Sequence, residues 1–170
     1  VFNITNTLLL FPFANKLVQL SSVMVKERPE DKEEEDFVIN LEDRLLESPS
    51  FAIEAAVTEV VRMGNLALDN YKLSINAILE DDESNIQQIL ANEKKINRYE
   101  EALAEYLVKV NELPLNENQY KLVKNLLYTI SDLERIGDHG ENLAEIAEEK
   151  ISKNIMFSAD AKSELVEMSG

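Results

Sequence analysis

The stretch NENQYKLVKNLLYTISDLERIGDHGENLAEIAEEKI, residues 116–151, decides the fold. Val123, Leu126, Ile130, Leu133, Gly137, Gly140, Ala144, Ala147 and Ile151 recur at steps of three and four. That is the period of one helix face, not the alternation of a strand. No proline interrupts the run, so it predicts a single long helix starting near Asn116.

Working back along the chain, two more runs of the same kind appear. Ser84 to Val110 places Ile86, Ile89, Ile96, Leu103, Leu107 and Val110 on one face, and Pro114 stops it. Before that, Ser48 and Pro49 offer an N-cap and a first-turn proline. The stripe that follows runs through Ala52, Ala56, Val60, Met63, Ala67, Tyr71, Ser74 and Ile78. The connections are short, so sequential neighbours should be antiparallel. The expected fold is all-α: an antiparallel three-helix bundle of long helices, up-down-up and spectrin-like, with an extra hydrophobic helix at the N-terminus.

Outside the bundle the composition shifts. Residues 1–25 are rich in Leu, Phe and Val and carry one charge, Lys16, but Asn3, Asn6, Asn15 and Gln19 interrupt the run and Pro12 would kink a helix. Such a segment fits the end of a membrane helix, an interfacial helix, or a helix packed on the domain. Lys26 to Asp36 is a charge run around Pro29. The expected organisation is residues 1–25 as a membrane-proximal remnant, 26–47 as an acidic linker, 48–155 as the bundle, and 156–170 as the truncated start of a further helix. A chain that opens at Val1 and stops at Gly170 reads as a fragment.

With 17 basic against 33 acidic residues the formal net charge is -16. Nucleic acid is thereby disfavoured as a partner, since phosphate backbones require a basic surface, and so is adsorption on an anionic leaflet. Solubility is the plainer account of this charge; divalent counter-ions are the other. The chain has no cysteine, which removes disulfides, thiolate zinc sites and cysteine nucleophiles. No nucleophile elbow, phosphate loop, dinucleotide fingerprint or HExxH occurs, so an enzyme is not expected.

The second helix has a flaw in its apolar stripe. Continuing the spacing from Ile89 to Ile96 and Leu103 lands on Glu93 and Glu100. An unpaired buried carboxylate costs several kcal/mol, roughly, so these positions call for a partner. Water, or Lys94, Lys95 or Arg98, would serve, and so would a cation. On the third helix Glu134 and Asp138 lie one turn apart on one face, with Asp132, Glu141 and Glu145 adding carboxylates nearby. Like charges at this spacing repel, and a cation would reverse the sign. An all-oxygen ligand set suits magnesium, manganese or iron better than zinc. His139, the only histidine, sits about 100° from Asp138 and fits a surface position. Gly137 and Gly140 each cost a helix about 1 kcal/mol against alanine, which close helix approach would explain.

DLERIGDHGENLAEIAEE (132–149) resembles the signature of PhoU-like proteins, whose helices carry E/DxxxD motifs around an acidic patch. NEKKINRYEEAL (92–103) looks like the partner motif, and the resemblance extends over roughly 51–153. It implies a three-helix bundle, a role in phosphate sensing, and iron, manganese or magnesium ions. Carried over by position, Glu134 and Asp138 match the third-helix motif; Glu93 and Asn97 match the second, with Asn97 where an aspartate would be stronger, and Glu100 in support. FNITNTLLLFPFANKLVQL (2–20) is similar to the last membrane-proximal stretch of bacterial-type sodium/phosphate cotransporters. That second resemblance implies an attached transporter, a plasma-membrane location with this domain on the cytoplasmic side, and metal ions or phosphate as ligands. A homodimer, a free-standing regulator and a purely structural dimerisation bundle stay open as alternatives.

Overall fold

The computed structural model describes residues 39–169. The long apolar periodicities become long helices: α1 is Pro49–Glu80, α2 is Ser84–Asn111, α3 is Glu117–Ser152, and α4 is Ala159–Ser169. A short 3-10 helix, Asp43–Glu47, precedes α1. No strand occurs among the described residues. The expected N-terminal hydrophobic helix lies outside them.

Local chemistry sets the helix ends. Pro49 occupies the first turn of α1, while Ser48 contributes its carbonyl, accepting from the Ala52 amide at 3.0 Å, and not its side chain. α1 stops at Asp81, which is left-handed at φ 56°. Asp82 then accepts from the Ser84 amide at 2.9 Å and the Ser84 hydroxyl at 2.6 Å, pinning the first turn of α2. α3 opens on a reciprocal capping box: Asn116 Oδ1 accepts from the Gln119 amide, and Gln119 Oε1 from the Asn116 amide, both at 3.0 Å. At the far end of α1 the last carbonyls are capped by neighbouring helices. Buried Lys150 of α3 donates to Ile78 O at 2.8 Å and to Asp81 Oδ1, and Lys162 of α4 donates to Leu79 O at 2.8 Å.

Each long helix packs on the other two. The turns at 81–83 and 112–116 make α1/α2 and α2/α3 antiparallel, so α1 and α3 run parallel. The 43–47 portion of the stretch expected to be acidic linker is helical, and Leu41 and Leu46 pack on the core.

The core divides in two. One cluster is built around Met63, Ile96, Leu103, Leu107, Val123 and Ile130. The other gathers Ala77, Ile78, Ile86, Ile89, Ala144 and Ala147. Between them the apolar stripes give way to a polar waist. Asn70, not Tyr71, takes the buried step of α1 there, and Tyr71 is only half-buried. Asn70 Nδ2 donates to Ile89 O at 3.2 Å, and the Ser74 hydroxyl donates to Gly140 O at 2.9 Å. Gly137 and Gly140 make this waist narrow. A Cβ on Gly137 would lie 3.1 Å from the Ile96 side chain, and one on Gly140 would lie 3.2 Å from Asn70 Nδ2 and Ser74 Oγ.

Candidate functional site

The waist is where charge enters the bundle. On α2, Glu93, Asn97 and Glu100 follow one another at i, i+4 and i+7; on α3, Glu134, Asp138 and Glu141 do the same. That spacing places each trio on one helix face. Because α2 and α3 are antiparallel, the rows run against each other, with Glu93 at the Asp138–Glu141 end and Glu100 at the Glu134 end. Glu93, Asp138 and Glu141 each bring a carboxylate oxygen to within 4.8 Å of the other two.

Glu93 is the buried member, with 7% of its surface exposed. Burial pushes its carboxyl above the ordinary range, and Glu141, Asp138 and Glu134 push the same way. Only Asn97 opposes them, its Nδ2 donating to Glu93 Oε1. Asn97 Oδ1 is buried with no hydrogen-bond partner, so this amide holds one oxygen in reserve. At the other end, burial, Asp138 and Glu100 raise Glu134, against a lowering by Arg135. Both shifts have the cause expected of crowded carboxylates in a dehydrated seam.

All five residues singled out in the sequence therefore lie along this seam. Glu93 and Asp138 belong to the tight oxygen group, Asn97 braces Glu93, and Glu100 and Glu134 interact one turn further on. Glu141 completes the tight group, although the sequence marked it only as surrounding charge; its signal was the i+7 spacing from Glu134. His139 is exposed, as is Glu145. Asp132 is exposed and sits 4.0 Å from Arg135. A further buried carboxylate, Glu59 of α1, was not foreseen. Its Oε1 accepts from Arg62 Nη1 at 2.9 Å while Oε2 is buried without a hydrogen-bond partner; burial first, and then Glu59, raises the Tyr99 hydroxyl of α2.

The seam is chemically suited to a hard cation. Two oxygens bound to one magnesium or manganese ion at about 2.1 Å lie about 3 Å apart. A cation would supply the positive charge that burial and the neighbouring carboxylates demand at Glu93.

The PhoU domain model matches residues 60–147, just over half of the chain, and spans the whole seam. Among curated proteins, the phosphate-specific transport system accessory protein PhoU of Edwardsiella tarda is 30% identical over 102 residues, covering 59% of this chain and 42% of that protein. The PhoU homolog of Synechocystis is 30% identical over 100 residues, covering 56% and 43%. The Escherichia coli accessory protein is 26% identical over 116 residues, covering 68% and 48%. The chain thus spans less than half the length of the curated relatives it matches. No solved structure matches it.

Proposed function

The chain belongs to the PhoU domain family, and from that membership we propose that it is an accessory, regulatory domain of phosphate transport that senses cations and phosphate through the α2–α3 seam. One observation carries the reading: Glu93, Asp138 and Glu141 converge to within 4.8 Å, and burial and its neighbours disfavour the ionised form of Glu93. Magnesium, manganese or iron binds there, held by Glu93, Asp138 and Glu141, with Asn97, Glu100 and Glu134 lining the rest of the seam. A cation held there would supply positive charge to an otherwise anion-repelling surface, and a phosphate could then bind beside it. The module binds and reports; it does not catalyse.

Loading the seam has a structural consequence. Carboxylates of two helices stand against one another at the waist between the two core clusters. A cation held by Glu93 of α2 with Asp138 and Glu141 of α3 would offset that repulsion and tie the two helices together. The domain reports ligand through this change to an attached sodium/phosphate cotransporter, at the cytoplasmic face of the membrane. The apolar residues 1–25 support that attachment. No helix among the described residues is long and apolar enough to cross a membrane. A free-standing accessory protein is the second reading, favoured by the names of the relatives.

Equilibrium dialysis with labelled inorganic phosphate tests the sensing role. The chain should retain phosphate when manganese is present, and should release it in chelator or in the Glu134→Gln/Asp138→Asn variant. Equal, negligible retention in every arm would overturn phosphate sensing at this seam.

A further inference from the structure

Asn70 and Ser74 lie one turn apart on α1, and both are fully buried. A position without exposed surface, set between two apolar clusters, is ordinarily filled by an apolar side chain. Asn70 departs from that rule at a cost, because its Oδ1 is buried without a hydrogen-bond partner. Whatever keeps an asparagine there acts through the other end of the amide.

That end reaches α2. Asn70 Nδ2 donates to Ile89 O at 3.2 Å, the carbonyl that also accepts the Glu93 amide in the helical ladder. Ser74 reaches the opposite helix. Its Oγ lies 2.8 Å from Asn70 O and 2.9 Å from Gly140 O, so one hydroxyl proton is shared between its own helix and α3. Gly140 directly precedes Glu141 and follows Asp138 by two residues. The glycine lets this contact form, since a Cβ there would lie 3.2 Å from both Asn70 Nδ2 and Ser74 Oγ. α1 thus brings none of the three converging carboxylates, yet it grips the backbones of both helices that do.

We infer that Asn70 and Ser74 are positioning residues: through Ile89 O and Gly140 O they hold α2 and α3 at the separation and register that bring Glu93 to Asp138 and Glu141. Carboxylates of the two helices repel one another there, so without a cation the waist is where α2 and α3 are pushed apart. Two buried hydrogen bonds from α1, one to each helix, oppose that push. Groups that orient ligands without touching the metal commonly change metal affinity by about 10- to 100-fold when removed. The consequence for metal affinity rests on the cation site proposed for the seam; the spacing of the helices does not.

Two measurements on the whole chain test this. In the first, manganese should bind at least about tenfold more weakly to Ser74→Ala, and to Asn70→Leu, than to the wild type. Val110→Ala, which opens the first core cluster at the far end of α2, should lose stability and keep its manganese affinity. Wild-type affinity in the two waist variants, or a loss in all three that only tracks stability, overturns the proposal. The second measurement needs no metal. The chain has no cysteine, so spin labels introduced through Gln87→Cys on α2 and Glu145→Cys on α3, both exposed positions, report the separation of these helices alone. Ser74→Ala and Asn70→Leu should broaden or shift the distance distribution while the helical circular dichroism stays unchanged. An unchanged distribution in the folded variants overturns the proposal. A wild type that binds no manganese, with a distribution that both variants still shift, removes the cation site and leaves the positioning role standing.

Discussion

Glu93 concentrates the physical chemistry of this domain in one side chain. Its carboxyl is raised by burial and by three neighbouring carboxylates, so through its titration the folded chain holds more protons than the unfolded one. Stability from this group is fully present below the ordinary carboxyl range and is lost as pH rises through the raised value. Glu134, raised by burial, Asp138 and Glu100, contributes with the same sign. The cation-free chain should therefore lose this contribution as pH rises from the ordinary carboxyl range toward pH 7.5, and melt at a lower temperature there. Glu93→Gln should narrow that difference and raise the melting temperature at pH 7.5, since it removes the buried charge and keeps the shape. An undiminished pH difference in thermal melts of the variant would show that Glu93 does not govern it. This residue was legible in the sequence because a carboxylate fell on a step that packing gives to Ile or Leu. Glu59 and Asn70 were not. Each lies one position or one short step off the stripe drawn through Ala56, Val60 and Ala67, and a helical period alone does not fix the width of a buried face.

The helices were read from their periods, and their ends from particular residues. Pro49, Asn116 and Pro114 all bound elements where their chemistry says they should, and the Gln119 half of the α3 capping box came only from the structure. The tie between α1 and the rest of the fold was not readable. Lys150 looks like an ordinary basic residue near a helix C-terminus, yet it is buried and caps a different helix, at Ile78 and Asp81. Its position follows from the parallel packing of α1 and α3, which only the tertiary structure supplies. The same packing decides what the glycines of α3 do. Gly137→Ala gains about 1 kcal/mol of helix propensity but drives a Cβ to 3.1 Å from Ile96, and overpacking of this kind costs about 1–3 kcal/mol. Urea denaturation should show Gly137→Ala to be less stable than wild type by up to about 2 kcal/mol. A more stable variant would mean that α2 and α3 can separate at the waist without loss.

At the scale of the whole molecule, three helices divide the work. α1 and α3 present exposed apolar side chains such as Leu68 and Ile136 on one side; α2 and α3 present crowded carboxylates on the other. The waist between the two core clusters is where the second surface reaches the interior, through Glu93 and its neighbours. Family membership rests on residues 60–147 as a pattern, and the proposed cation site rests on three oxygens within 4.8 Å of one another. The central claim is that this convergence is a cation site. Isothermal titration of manganese into the chelator-treated chain, beside the Glu93→Gln/Asp138→Asn variant, tests it most directly. The account predicts saturable binding in the wild type and at least about tenfold weaker binding in the variant. No binding in the wild type, or equal binding in both, would contradict it.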